Sequence, residues 1–210
     1  MNKIEWHSYA KLDVKSRLAK AKKIECILRQ FCTLDGLRVL DIGTGAGIIA
    51  SHMSKSVGKR GRVVAVDVID QLQVEKGFLF VKVSGPDLPF EDGSFDVVIS
   101  NMVLEHVGPP AKQVHHLEEI YRVLCPNGLA YIAVPNRWGI IEPHFKLPLL
   151  SWLPRRWRSV YVRIVRKGNA YDCEPLSYAE FKKMVKTSDL SYVDCTLDAM
   201  QIMRKLEKLN

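Results

Sequence analysis

The chain has no CxxC pair, and its five cysteines (Cys26, Cys32, Cys125, Cys173 and Cys195) are odd in number. A disulfide framework is therefore excluded as the organising device, and no zinc site is suggested. Reduced, mostly buried thiols in a reducing compartment fit better. The opening stretch "MNKIEWHSYAKLDVKSRLAK" lacks the apolar core of a signal peptide. No apolar run approaches the length that spans a bilayer. These absences lead us to expect a cytoplasmic protein. Internal repeats and low-complexity tracts are missing too, which removes solenoids and disordered scaffolds. Acid is in short supply: 23 acidic residues face 31 basic ones, for a formal net charge of +8. Residues 143–170 are the extreme, with seven basic residues and no acidic one. That balance suits an anionic partner such as nucleic acid, a membrane surface or an acidic glycan, and suits equally an ordinary solvated surface.

What is present reads as one globular domain of 210 residues, 47% hydrophobic and 26% charged. Residues 14–32 carry a helical apolar stripe with lysines between. Then come apolar runs that read as strands: 37–43, 61–68, 78–84, 94–101 and 129–136. Helical patterns separate most of them, at 46–57 and at 111–128, the latter expected to end at Pro126 and Gly128. Near-continuous apolar strands alternating with helices predict a parallel sheet covered on both faces. Only about ten residues join the second strand to the third, too few for a full helix. Farther on, Ser177-x-x-Glu180 is a capping box, 190–198 reads as a sixth, edge strand, and 199–209 as a final helix.

The most specific stretch is "VLDIGTGAGIIA", residues 39–50. A strand ends on Asp41, and Gly43, Gly45 and Gly47 follow in the next turn. The first strand–turn–helix of a doubly wound sheet is a nucleotide site. Gly43 and Gly45 match the dinucleotide fingerprint GxGxxG, but its third position holds Ile48. An acid at the strand end would repel a pyrophosphate and welcome a cationic group.

At these residues the sequence resembles the class I S-adenosylmethionine-dependent methyltransferases, and within them the small type 11 group. The resemblance covers roughly residues 36–136. It implies a Rossmann-like α/β fold, mostly parallel, in strand order 3-2-1-4-5 plus an edge strand. It implies S-adenosylmethionine as cofactor, leaving S-adenosylhomocysteine as product. By the resemblance, the turn of Asp41, Gly43, Thr44, Gly45, Ala46 and Gly47 contacts the amino-acid moiety. Asp67 in "VVAVDV", next to Val68, grips the ribose hydroxyls; it lies 20 residues after Gly47. The third stretch, "LPFEDGSFDVVISNMVLEHV" (88–107), brings Asn101 and Met102 to the cofactor. Where the family often has an acid for the adenine amino group, this chain has Ser84, so adenine recognition passes to Ser84 and backbone near Gly85. Asp96 reads as structural in the family.

His106 follows the fourth strand and His144 follows the fifth; either is a candidate general base, the bland alternative being a loop-holding hydrogen bond. His115 and His116 read as surface or packing residues. The stretch "PNRWGIIEPHFKLPLLSWLPRRW" resembles one in methyltransferases associated with cell-envelope polysaccharide synthesis. Trp138, Arg155, Arg156 and Arg158 are its candidate acceptor contacts. The segment admits three readings: a lid packed on the core, an interfacial anchor for a lipid-linked substrate, or a phosphate- or nucleic-acid-binding patch. Trp6, His7 and Tyr9 are expected to fold over the cofactor or simply to pack. The expected layout is a single domain: a helical segment (1–35), a cofactor core (36–136), a substrate lid (137–175) and a helix/strand/helix tail (176–210). The expected function is methyl transfer to a small-molecule, saccharide or lipid-linked acceptor, at oxygen. RNA methylation and a non-catalytic, cofactor-binding partner protein are the alternatives. Metal is not expected.

Overall fold

A computed structural model describes residues 14–208; Trp6, His7 and Tyr9 lie outside them. Helix α1 (Val14–Leu28) leads into strand β1 (Arg38–Ile42), helix α2 (Ile48–Ser56) and strand β2 (Arg62–Asp67). Strand β3 (Leu79–Lys82) follows without a helix between, as the short link requires. Then come β4 (Phe95–Asn101), a single 3-10 turn at Leu104–His106, α3 (Pro110–Val123) and β5 (Leu124–Ala133). After β5 the chain forms α4 (Arg155–Ile164), α5 (Tyr178–Thr187) and α6 (Thr196–Lys208). The five strands form one sheet in the order β3-β2-β1-β4-β5, and every pair is parallel.

Alternation along each strand divides the core in two. Val39, Val63, Ala65, Val97 and Ile99 face α1 and α2, where Ala21, Ile24, Ile49 and Met53 are buried. Leu40, Ile42, Val64, Val66 and Val98 face α3 and α5, with Leu117, Ile120 and Val185. Period-2 side-chain direction in strands that are apolar on both faces requires this sandwich of helices. A third, smaller cluster of Leu147, Leu150 and Val162, with Phe145, Tyr161 and Tyr171 against it, gives the stretch after β5 its own packing.

Among the described residues the sheet has no sixth strand. Residues 191–195 are irregular, with Val193 71% exposed. Asp194 explains the break: its carboxylate accepts from the Thr196 N–H and hydroxyl, turning the chain into α6. The tail is helix, irregular stretch, helix. A second difference concerns α3, which ends at Val123 rather than at Gly128. Phe95 pairs with Leu124 and Val97 with Leu129, so Cys125–Gly128 loops out of β5. Pro126 and Gly128 thus mark an excursion within a strand and not the end of a helix. The capping box forms as read, with Ser177 Oγ accepting from the Glu180 N–H and Glu180 returning to the Ser177 N–H.

Asp96 and Arg38 fasten the opposite end of the sheet from the glycine turn. The Arg38 guanidinium donates to both Asp96 oxygens, at 3.1 and 2.8 Å, and holds that carboxyl down at about 2. Asp96 is structural, as expected.

Candidate functional site

Parallel strands put all their C-terminal ends on one edge, and the predicted cofactor residues gather there. Gly43–Gly47 follows β1, Val68 follows β2, Ser84 and Gly85 follow β3, and Asn101–Met102 closes β4. Gly43, Gly45 and Gly47 all have positive φ, at 66°, 56° and 78°. Only glycine takes these angles in succession without strain. The Asp67 carboxylate holds the turn from β2, accepting from the Gly45 N–H at 2.8 Å and the Ile69 N–H at 3.1 Å. A carboxylate offers about four lone-pair directions, so Asp67 retains acceptor capacity for hydroxyls.

Asp41 is placed differently from the expectation of a direct contact. It is 1% exposed and lies beneath the turn. Its carboxylate accepts from the Thr44 hydroxyl at 2.7 Å and from the Ala50 backbone in the first turn of α2. It therefore braces the turn and the helix start. Burial, with Asp67 nearby, pushes its carboxyl up to about 7. Thr44 and Ala46 are buried with it.

Sequence reasoning missed Arg17 on α1. Its guanidinium lies 3.3 Å from where a Gly45 Cβ would stand. Burial lowers its affinity for a proton, and Asp41 and Asp67 oppose that effect. A cation, an accepting carboxylate and an acid beneath the turn thus meet at one strand edge. That set fits a zwitterionic amino acid joined to a ribose. The only sequence signal for Arg17 was a basic residue on the stripe side of the first helix.

On the other side of β4, the Leu104–His106 turn meets the stretch after β5. His144 Nε2 lies 3.1 Å from the Glu105 carboxylate. Glu105 Oε2 is buried with no hydrogen-bond partner. The Glu174 N–H donates to the Glu105 carbonyl at 2.7 Å. The His106 and His144 rings meet edge to face at 4.6 Å, so the structure brings the two candidate bases together. His116 is 1% exposed, and burial depresses it to about 4.

The arginines part company. Arg155 and Arg156 are exposed, with Arg155 also paired to Glu174 at 2.8 Å. Arg158 is 4% exposed and donates to the Ser151 and Leu153 carbonyls. It holds the turn before α4 and is withdrawn from the acceptor contacts. Arg158→Ala is expected to lose about 1–3 kcal/mol by orphaning buried carbonyls. Replacing Arg155 and Arg156 together should stay within about 0.5 kcal/mol of wild type in a urea melt. Trp138 is exposed, edge to face with Trp152 and beneath the Arg137 guanidinium.

Residues 40–132 match the family model described as "Methyltransferase domain". An arsenite methyltransferase of Aquipseudomonas alcaligenes is 35% identical over 130 residues, 54% of this chain and 37% of that protein. The ubiquinone/menaquinone biosynthesis C-methyltransferase UbiE of Serratia proteamaculans is 28% identical, over 72% of this chain and 60% of its own length. Among solved structures, an arsenic(III) S-adenosylmethionine methyltransferase from Chlamydomonas reinhardtii superposes with a TM-score of 0.55 at 25% identity. That match covers 81% of this chain and 61% of the other. The chain thus spans between about a third and three-fifths of the length of these relatives. Over residues 40–132, which hold the glycine turn and run from β1 into β5, the chain is similar to the class I methyltransferases. The cofactor of that class is S-adenosylmethionine.

Proposed function

We propose that the chain transfers the methyl group of S-adenosylmethionine to a small-molecule or lipid-linked saccharide acceptor, at oxygen. The observation that carries the acceptor side is the surface of the stretch after β5. Leu149, Trp157, Tyr161 and Ile164 line an open apolar groove of about 430 Å³. Exposed Arg155 and Arg156 stand at the start of the same helix. An apolar face flanked by cations suits an anionic headgroup on an apolar chain, at a membrane surface. Among the described residues no helix is long and apolar enough to cross a membrane.

In this reading Asp67 binds the ribose hydroxyls, Arg17 pairs with the cofactor's carboxylate, and Asp41 stabilises its ammonium group from below. Ser84 and Gly85 flank the adenine; a Cβ added at Gly85 would meet nothing within 4 Å, which leaves room for a ring. The bound sulfonium supplies an electrophilic methyl group. The protein's task is then to align the acceptor's oxygen and exclude water. The proton of a hydroxyl acceptor falls to His106 or His144; burial pushes His106 below the ordinary imidazole range, which favours its neutral form.

Two measurements test this. Radiolabelled methyl transfer to separated cell fractions should label lipid-linked glycan or small molecules. Label confined to RNA would overturn the acceptor class, and no label in any fraction would favour a non-catalytic cofactor-binding protein. The second uses Asp41. Between about pH 4 and pH 7 the folded state holds a proton there that the unfolded chain has released. That residue's contribution to stability therefore falls as pH rises through the window. A cationic ligand favours the ionised form, so binding expels the proton. Affinity for S-adenosylhomocysteine should rise about fivefold from pH 6 to pH 7, about twofold more by pH 8, and level off above. A flat profile between pH 6 and 8 would remove Asp41 from the account.

A further inference from the structure

We infer that His106, His144 and Cys173 form a site for a divalent transition metal of the zinc class, with the Glu105 carboxylate beside it, which ties the stretch after β5 to the end of β4. Independent of the acceptor, the proposal departs from the sequence expectation that no metal is held.

The geometry comes first. One ligand atom each from His106, His144 and Cys173 lies within 4.8 Å of the other two. Cys173 Sγ is 3.7 Å from His106 Nδ1. Two ligands of a tetrahedral zinc, one sulfur and one nitrogen, stand about 3.5 Å apart at ordinary bond lengths. His144 Nε2 and Glu105 Oε1 are 3.1 Å apart, a contact by which the carboxylate orients the imidazole. The widest of the three separations, up to 4.8 Å, closes by up to about 1.5 Å when the donors meet on one ion.

A second observation is independent of the three ligands. Glu105 is 1% exposed and its Oε2 has no partner. A buried, unpaired carboxylate oxygen is costly, and it stands against the two imidazoles. A cation held by the two imidazoles and the thiolate would offset its charge and leave the fourth position of a tetrahedral ion open. This mixture of borderline and soft donors suits zinc over magnesium or calcium.

The field at the site has the right sign. Asp172, Glu142 and Glu105 put negative charge around the Cys173 sulfur, which favours a bound cation. The scaffold is preorganised as well. Gln113 Nε2, fully buried on α3, donates to the Leu104 and Glu174 carbonyls, at 3.1 and 3.0 Å. Together with the Glu174–Glu105 backbone bond, this fixes Cys173 beside His106 from two elements far apart in sequence. A nitrogen that holds a cation takes no proton, so base catalysis by His106 or His144 belongs to the metal-free chain alone.

The test uses the full chain, stripped with chelator and titrated with cobalt(II) alone. The expected result is stoichiometric uptake, with a thiolate-to-metal charge-transfer band in the near ultraviolet and strong visible bands of a tetrahedral ion. Zinc should displace both. Cys173→Ser should abolish the charge-transfer band while leaving the far-ultraviolet circular dichroism unchanged. His144→Gln should weaken zinc binding at least tenfold. Zinc at a hundredfold above its dissociation constant should raise the melting temperature of wild type by about 5–10 °C and that of Cys173→Ser by much less. No charge-transfer band in the wild type would overturn the proposal. So would a band that survives in Cys173→Ser, because the thiolate would then belong to another cysteine.

Discussion

Gly47→Ala is expected to cost the fold about 2–5 kcal/mol. Gly47 sits at φ +78° at the start of α2. A Cβ there would overlap the Val74 carbonyl oxygen and come within 2.8 Å of the Phe78 ring. The left-handed backbone costs an L-residue about 1–2 kcal/mol. Forcing the 72–78 loop aside adds about 1–3 kcal/mol, because a main-chain carbonyl yields less readily than a side-chain tip. Urea unfolding reads the loss, and Gly85→Ala, with open space around it, serves as the reference within about 0.5 kcal/mol. Equal midpoints for the two variants would show that the loop gives way at no cost. The reason for this glycine is thus internal packing. Gly43 is similar, since a Cβ there would strike Val103; Gly45 is the one whose open side faces Arg17.

Asp67→Ala is expected to weaken S-adenosylhomocysteine binding about a hundredfold, close to 3 kcal/mol. Two hydroxyls donating to one carboxylate are charge-assisted bonds worth about 1.5–3 kcal/mol each when their partner is removed. Part of the loss is indirect, because Asp67 also holds the Gly45 and Ile69 N–H groups. Asp67→Asn keeps one acceptor oxygen and should fall between, at about tenfold. Titration calorimetry gives both values. Wild-type affinity in the alanine variant would move ribose recognition elsewhere on the strand edge.

The sheet was legible because its order follows from uninterrupted apolar runs and one link too short for a helix. The glycine turn was legible because few residues tolerate its angles. The edge strand was misread: 190–198 has the composition of a strand, but Asp194 captures Thr196 and starts a helix. Arg158 looked like Arg155 and Arg156, because sequence does not say which arginine turns inward. Its neighbours' carbonyls decide that, and they are fixed only once α4 has formed. Cys173 was read only as one more buried thiol, and Glu105 was given no role, for a related reason. Cys173 is 67 residues from His106, and no local spacing rule reaches across β5 and the whole stretch beyond it.

The two ends of that stretch are stitched side by side. Asn136 and Leu176 form an isolated parallel bridge, and the Arg137 N–H donates to the Leu176 carbonyl at 2.9 Å. Everything between leaves and re-enters the molecule through one doorway. The entropy of closing such a loop grows only slowly with length, by about 0.6 kcal/mol per doubling. Insertions or wholesale replacement between residues 145 and 170 therefore leave the strand edge that carries Asp67 and the glycine turn almost untouched. The molecule is arranged as a socket with an exchangeable fitting: the sheet sets the socket, and the fitting can be changed without moving it.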